Sequence, residues 1–421
     1  MNAVYRLFAL AIIFCAASFG WVVLGGTMIA RTDTQERGLE GEVAELWGRP
    51  MAQTAPIVEM TWVEEVETKQ TEMVNNVPVV STITVKETRQ RAEVVQSSNL
   101  TTSLSLDERR KGLVWFPLYD VDFHGDWSWT HRGSETGVAW VVFSLPDPNG
   151  VYDAFQLKVN GQETTGKLEY GVVRVPVNVV PGDEVSFSVG YRSRGLESWS
   201  YLPVNGVGEV TDFALTLQTD FAAIDFPAGT LSPSSKTRTS DGWTLTWAFD
   251  RLIAGKGMGM VMPERIQPGE LASSMSFSAP ISLGLFMIWV FALGLLKKVE
   301  VHPMNHLMVA AAFFSFHLLF AYTADHLPVE AAFALSAATS VILVVSYLRL
   351  AVGPRFALLE AGGAQLVYLI GFSLAHFWEG FTGLTVTVLC ILTLFALMQL
   401  TGRIRWAEVF AQSQPAGVNP S

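Results

Sequence analysis

Apolar stretches at 7–30, 277–296, 305–322, 329–348, 356–377 and 383–400 divide the chain, each near the roughly 20 residues that cross about 30 Å of hydrocarbon. They predict six transmembrane helices: one N-terminal signal anchor and an α-helical membrane bundle of five near the C-terminus. The long segment between them follows a different rule. Val173, Val175, Val177 and Val179 alternate with polar or small positions, as do Val185, Phe187, Val189 and Tyr191, and again Trp243, Leu245, Trp247 and Phe249. Period two places one face of a strand on a core and the other in water.

Turn chemistry fits that period. Asn160-Gly161 predicts a type I′ hairpin turn, and Pro181-Gly182-Asp183 and Asp241-Gly242 end the other runs. Many short strands with regular turns predict an antiparallel β-sandwich-like domain, all-β, long enough for two sheets packed together or for two small β subdomains with a Gly- and Pro-rich seam at 202–210. Ahead of it, 32–48 carries Leu39, Val43, Leu46 and Trp47 at helical spacing, with Glu36, Glu40, Glu42 and Glu45 on other faces, which predicts a short amphipathic helix packing its stripe on the sheet. The expected divisions are anchor 1–30, amphipathic stalk 31–55, β-rich domain 56–276, five-helix bundle 277–402 and a polar tail 403–421.

Composition supports a membrane protein with a sizeable soluble part: half of the 421 residues are hydrophobic and 16% are charged. Only seven of the 28 Lys and Arg lie outside 31–278, namely Arg6, Lys297, Lys298, Arg349, Arg355, Arg403 and Arg405, and a single threading of the bilayer puts all seven on one face. Basic residues in short flanking loops mark the cytoplasmic side, so both termini are expected there. The opposite loops carry Asp325, Glu330 and Glu379 and no Lys or Arg. Residues 31–278 hold 21 basic against 33 acidic residues, which argues against nucleic acid or an anionic lipid surface as the partner of the β domain. The lipid bilayer is the partner that the apolar spans require.

Cys15 and Cys390 both fall in predicted spans, so the β domain contains neither a disulfide nor a thiol metal site. The first apolar stretch is about twice the length of a usual signal core and ends without a small-x-small cleavage pattern, because Met28 takes the position that would need a small side chain; an uncleaved anchor is expected. Tyr322 and Trp378 are placed as interfacial anchors at the outer ends, with Tyr347 and Trp406 at the inner ends. Ala334, Ala338, Gly362, Gly363, Gly371 and Ala375 supply small surfaces for close helix approach.

Enzyme signatures are missing: there is no His-Glu-x-x-His, Gly-x-Ser-x-Gly or phosphate-loop sequence. Gly255-Lys-Gly257-Met-Gly259 lies between strands and reads as a turn. His302 with Pro303 reads as a helix cap. His124 and His131, near Asp120, Asp122 and Asp126, could ligate zinc or copper, but their spacing matches no defined metal motif. His317 lies about 12 residues into the third span, roughly 18 Å deep at 1.5 Å per residue, where it should face protein or water. Gln365 and Tyr368 on the fifth span share its depth and are candidate hydrogen-bond partners; an intramembrane ionisable group is a functional candidate. At the outer ends of the helices, Asp325, His326, His376 and Glu379 offer the best mixture of metal ligands, with Glu330 close by, against a solvated rim as the simpler reading.

The layout and several short strings resemble the CreD family of bacterial inner membrane proteins. The strings are Val301-His302-Pro303-Met304 entering the third span, Thr323-Ala324-Asp325-His326 at its outer end, and Trp47-Gly48-Arg49-Pro50 before the first strand, where Arg49 interrupts the family's usual Gly-Pro. The resemblance implies the bacterial inner membrane, a periplasmic β domain at 31–276, and a role in envelope integrity or stress response within a family of no established catalytic activity.

The expected function is therefore non-enzymatic and free of cofactors, with the periplasmic domain binding or sensing an envelope protein or glycan. A proton-linked or small-solute transporter or channel would need polar groups converging at midplane or interrupted helices. The residues offer only His317, Gln365 and Tyr368 there, and no Pro is expected in a span interior. A metal-dependent envelope enzyme would use the outer rim. The topology is checked with single cysteines in a chain lacking Cys15 and Cys390: Glu330→Cys, in the same loop as Asp325, is expected to react with an impermeant maleimide from outside the inner membrane, and Lys298→Cys to be protected.

Overall fold

In a computed structural model, residues 3–74, 77–204, 208–297, 299, 301–378 and 380–402 are described. The chain divides into a membrane unit, 1–38 with 112–114 and 266–421, and a β unit, 39–111 with 115–265. The first helix, Ala3–Trp47, supplies residues to both.

Among the described residues six helices are long and apolar enough to cross a membrane. The first is followed by Pro268–Lys297, Pro303–Thr323, Val329–Val352, Phe356–Phe377 and Thr382–Thr401. The helix containing the second span begins at Pro268, nine residues before the apolar stretch, because Glu270 and Ser273 continue helical backbone outside the hydrocarbon-length segment. Two features depart from uninterrupted spans. Pro280 lies inside the second span, and the fifth span winds as π-helix over Phe356–Ala361 and Leu366–Gly371. Such bulges free backbone groups that neighbouring hydroxyls can satisfy. Ser282 Oγ of the second span donates to the Tyr368 carbonyl inside the second π segment.

The bundle core is lined by Phe286, Phe313, Phe316 and Ala357, with Trp21 from the first span. Small residues work one position away from the expected pair. Ala334 and Ala338 are exposed, whereas Ala332, Ser336, Ala337 and Ser340 are buried, since the packed stripe of the fourth span is rotated by about one residue. Gly362 is buried and Gly371 is not. The first and sixth spans bury only 11% and 6% of their apolar windows, which leaves them mainly to lipid.

The β unit holds three sheets around one hydrophobic core. An eight-stranded sheet contributes Trp127, Phe187, Leu215 and Trp247, a five-stranded sheet contributes Met60, Val141 and Val175, and a three-stranded sheet contributes Trp199 and Met260. The predicted alternation is seen directly: Val185, Phe187, Val189 and Tyr191 are buried while Glu184, Ser186 and Arg192 face outward. The core continues across both sides of 202–210, so that segment does not separate two cores. Pairing is mostly antiparallel. Among the described residues two parallel pairs depart from that expectation, Met51–Thr54 with Ser198–Leu202 and Ser97–Lys111 with Gly208–Thr219, because strands far apart in sequence meet there. Asn160 and Gly161 both have positive φ, 50° and 77°, and join Tyr152–Val159 to Gln162–Glu163 as the predicted type I′ turn. Residues 255–257 connect two strands, in keeping with a turn.

Gln53, fully buried, ties the three sheets together. Its Nε2 donates to the Ser144 carbonyl, and its Oε1 accepts from Tyr191 Oη at 2.9 Å. Burial, with lesser contributions from Tyr152, Tyr119 and Tyr201, holds the Tyr191 hydroxyl protonated well above the ordinary tyrosine range. Trp247, without solvent exposure, donates through Nε1 to the Leu231 carbonyl at 2.8 Å. Trp247→Ala is expected to destabilise the β unit by about 3–5 kcal/mol, read as a lower denaturation midpoint by near-ultraviolet circular dichroism.

Candidate functional site

The β unit carries a groove of about 850 Å³ whose floor is the outward face of the eight-stranded sheet. Period two builds that floor. Along Val114–Thr130 the inward residues are Val121 and Phe123, which leaves Asp120 and Asp122 outward; along Glu184–Leu196, Tyr191 and Ser193 point inward and Arg192 and Arg194 outward. Register then sets the charges in rows, with Arg192 between Asp122 and Asp153 and with Arg194 opposite Asp120. Arg192 Nη2 lies 3.0 Å from Asp153 Oδ2, and Arg194 Nε lies 2.9 Å from Asp120 Oδ1. Ser103 and Ser105 extend the floor.

A β-bulge aims Asp153 at Arg192. Register shifts between Gly190 and Arg192, and Ala154 takes φ 52° while its N–H donates to Asp153 Oδ1. The wall formed by 147–153 is braced by Tyr152, whose hydroxyl accepts from Asp147 N and donates to Asp147 O, both at 2.8 Å. Burial pushes this phenol up to about 12, so it stays a donor throughout the physiological range.

The other wall is the end of the first helix, 44–49. Gly48, at φ 114°, passes so close to the strand below that a Cβ would meet the Arg194 carbonyl at 2.6 Å, and Arg49 O accepts from Leu196 N. Of the helical stripe read from the sequence, Val43 is fully buried, but Leu46 is 66% exposed and lines the groove with Trp47. Trp47 has the Arg109 guanidinium over its ring at 5.9 Å. Trp47, Gly48 and Arg49 are more than 70 positions from Asp120 and Asp122 in the chain, and only the folded β unit brings them to one groove.

The histidine and acid cluster of the β unit does not assemble a metal site. His124 faces outward, 3.4 Å from Asp126, while His131 is buried, stacked on Trp129 and bonded to the Glu135 carbonyl. An odd separation along extended backbone sends the two rings to opposite faces.

In the membrane unit His302 caps the third span, its Nδ1 accepting from Met304 N at 3.2 Å. His317 is 2% exposed and meets neither Gln365 nor Tyr368 in a hydrogen bond. Its Nδ1 pairs with the Phe313 carbonyl of its own helix, and its ring packs edge-on against Trp21 of the first span at 5.5 Å. Depth was shared, but helix rotation was not. Gln365 instead donates to Ser340 Oγ, which donates to the Ala312 carbonyl, and this joins the third, fourth and fifth spans. Tyr368 and Thr393 share a hydrogen bond of 2.9 Å that joins the fifth and sixth.

The described outer-rim residues each have their own surroundings. Asp325, 5% exposed, forms an ion pair with Arg31, whose guanidinium also lies over the Tyr322 ring. His376 Nε2 pairs with Ser278 Oγ at 2.9 Å, and His326 and Glu330 are exposed. Glu379 lies outside the described residues, and no metal-binding group of three is present among them. Arg31 stands at the boundary between the first span and the polar segment, where the sequence alone assigns it no partner.

Arg6 donates to the Val301 carbonyl and Lys297 pairs with Glu360, while Arg349 and Arg355 flank the turn after the fourth span. Lys298, Arg403, Arg405 and Trp406 lie outside the described residues.

The family described as Inner membrane protein CreD matches the chain over residues 2–278 and 274–407. No curated protein matches it significantly. Among solved structures, a candidate nutrient-binding protein from Legionella pneumophila is 9% identical, with 53% of this chain and 81% of that one covered and a TM-score of 0.28. An M1 zinc metallopeptidase from Deinococcus radiodurans is 12% identical, with coverage of 76% and 93% and a TM-score of 0.26. Neither likeness, at such scores, bears on fold or chemistry.

Asp325→Asn leaves Arg31 without its buried counter-charge and is expected to cost about 2 kcal/mol, less than for a fully enclosed pair because Arg31 is partly solvated. Thermal unfolding of the full chain in neutral detergent checks this, and Arg31→Gln should cost less in the Asp325→Asn background than in the unaltered protein.

Proposed function

The chain belongs to the CreD family of inner membrane proteins, and from that premise we propose that it contributes to envelope integrity by holding a polar glycan of the envelope in the groove of its β unit, without catalysing a reaction. In this reading the termini are cytoplasmic and residues 31–276 are periplasmic, as the basic residues of the short loops imply. It is a multi-pass membrane protein, with six apolar helices among the described residues.

The groove floor carries the proposal. Arg192–Asp153 and Arg194–Asp120 present guanidinium donors and carboxylate acceptors side by side across neighbouring strands. A sugar hydroxyl both donates and accepts, so such rows suit a polyhydroxylated chain without demanding net charge on it. Trp47 adds an amphipathic aromatic wall. Two of the acids are already matched by arginine, which favours a neutral glycan over a basic peptide.

The membrane unit supports a non-transporting role. Its buried Gln365 and Tyr368 bond to side chains of adjacent spans and serve helix association, while His317 is satisfied by a carbonyl of its own helix.

Calorimetric titration of the full chain in neutral detergent with soluble cell-wall glycan fragments is expected to show saturable binding, weakened at least tenfold by joint Asp122→Ala and Arg192→Ala substitution. Absence of saturable binding, equal binding by the double variant, or preference for a lysine-rich peptide would overturn the glycan assignment.

A further inference from the structure

A second cavity, of about 520 Å³, lies within the membrane unit and is lined by Lys297, Val299, Val352, Gly353, Arg355 and Glu360. It has no part in the groove just described. Among the described residues its charges are unequal: two cations, Lys297 and Arg355, face one carboxylate, Glu360. Lys297 pairs with Glu360, which uses one of the three donors of the ammonium. Arg355 is exposed, has five N–H donors, and has no carboxylate partner among the described residues. Donors are therefore in surplus, and charge-assisted bonds to an oxyanion would use them.

Its remaining walls say which oxyanion. Val299 and Val352 line the same cavity, Phe356 adjoins them, and Leu350, Leu358 and Leu359 on the flanking fourth and fifth spans are 81%, 58% and 66% exposed. A free phosphate would satisfy the cations and leave the apolar surfaces uncovered; a phospholipid covers both. The headgroup needs no ammonium of its own, because Glu360 is engaged by Lys297 through one oxygen and its other oxygen is withdrawn from solvent. We infer that this cavity seats the phosphate of an anionic phospholipid, with Arg355 as the principal ligand and Lys297, held by Glu360, as the second. Basic pockets between membrane helices bind such headgroups by the same chemistry.

The test uses the full chain in neutral detergent and measures its thermal midpoint with phosphatidylglycerol, phosphatidylcholine, phosphatidylethanolamine or inorganic phosphate at equal phosphorus concentration, since a ligand of the folded state raises that midpoint. Phosphatidylglycerol is expected to raise it more than the two zwitterionic lipids, and inorganic phosphate to leave it unchanged. Arg355→Gln should remove at least half of the phosphatidylglycerol increment, and Arg349→Gln should retain it. Equal increments for all three lipids overturn the inference, as does an unchanged increment in Arg355→Gln; reproduction of the effect by inorganic phosphate would reassign the site to a free anion. If Arg355→Gln does not accumulate, the comparison among lipids in the unaltered protein decides, together with native mass spectrometry of the lipid retained through purification.

Discussion

Polar groups withdrawn from water must find partners within the chain, and both units are organised around that requirement. In the β unit the buried amide of Gln53 is met by the Ser144 carbonyl of one sheet and the Tyr191 hydroxyl of another, so three sheets share a polar junction inside an otherwise apolar core. In the membrane unit Gln365, Ser340 and the Ala312 carbonyl form a chain across three spans, and Arg31 and Asp325 join the first span to the turn after the third. Removal of any one member leaves a buried group unpaired, which costs more than the bond itself contributes.

The same requirement explains the irregular fifth span. Two π segments interrupt its regular winding, and a hydroxyl from the second span bonds to one of their carbonyls. Interrupted helices are a feature expected of transporters, yet here the neighbouring polar side chains of the fifth span, Gln365 and Tyr368, are spent on helix association. The irregularity accommodates packing around Gly362 and Tyr368, where the fifth span meets the fourth and second.

Much of the architecture was legible because it depends on period and length alone. Period two marked the strands, Asn160-Gly161 marked a turn that only positive φ permits, and His302-Pro303 marked a cap that forms as expected. The groove is not legible in the same way. Asp120, Asp122, Arg192 and Arg194 are ordinary outward residues of two strands until register sets them in rows, and Leu46 belongs by spacing to a buried stripe but lies exposed on a groove wall. His317 and Gln365 agree in depth yet turn to different neighbours, since depth fixes only one coordinate of a helical residue.

Hydropathy, periodicity and the placement of Lys and Arg are local properties, and they sufficed for six spans, a β-rich segment between the first and second, and the family resemblance. Pairing is not local. Arg31 and Asp325 stand 294 positions apart, and Gln53 and Tyr191 stand 138 apart. Whether such residues meet depends on helix rotation and strand register, which arise only when distant segments pack, and it is that packing which built the groove and set Asp325 against Arg31.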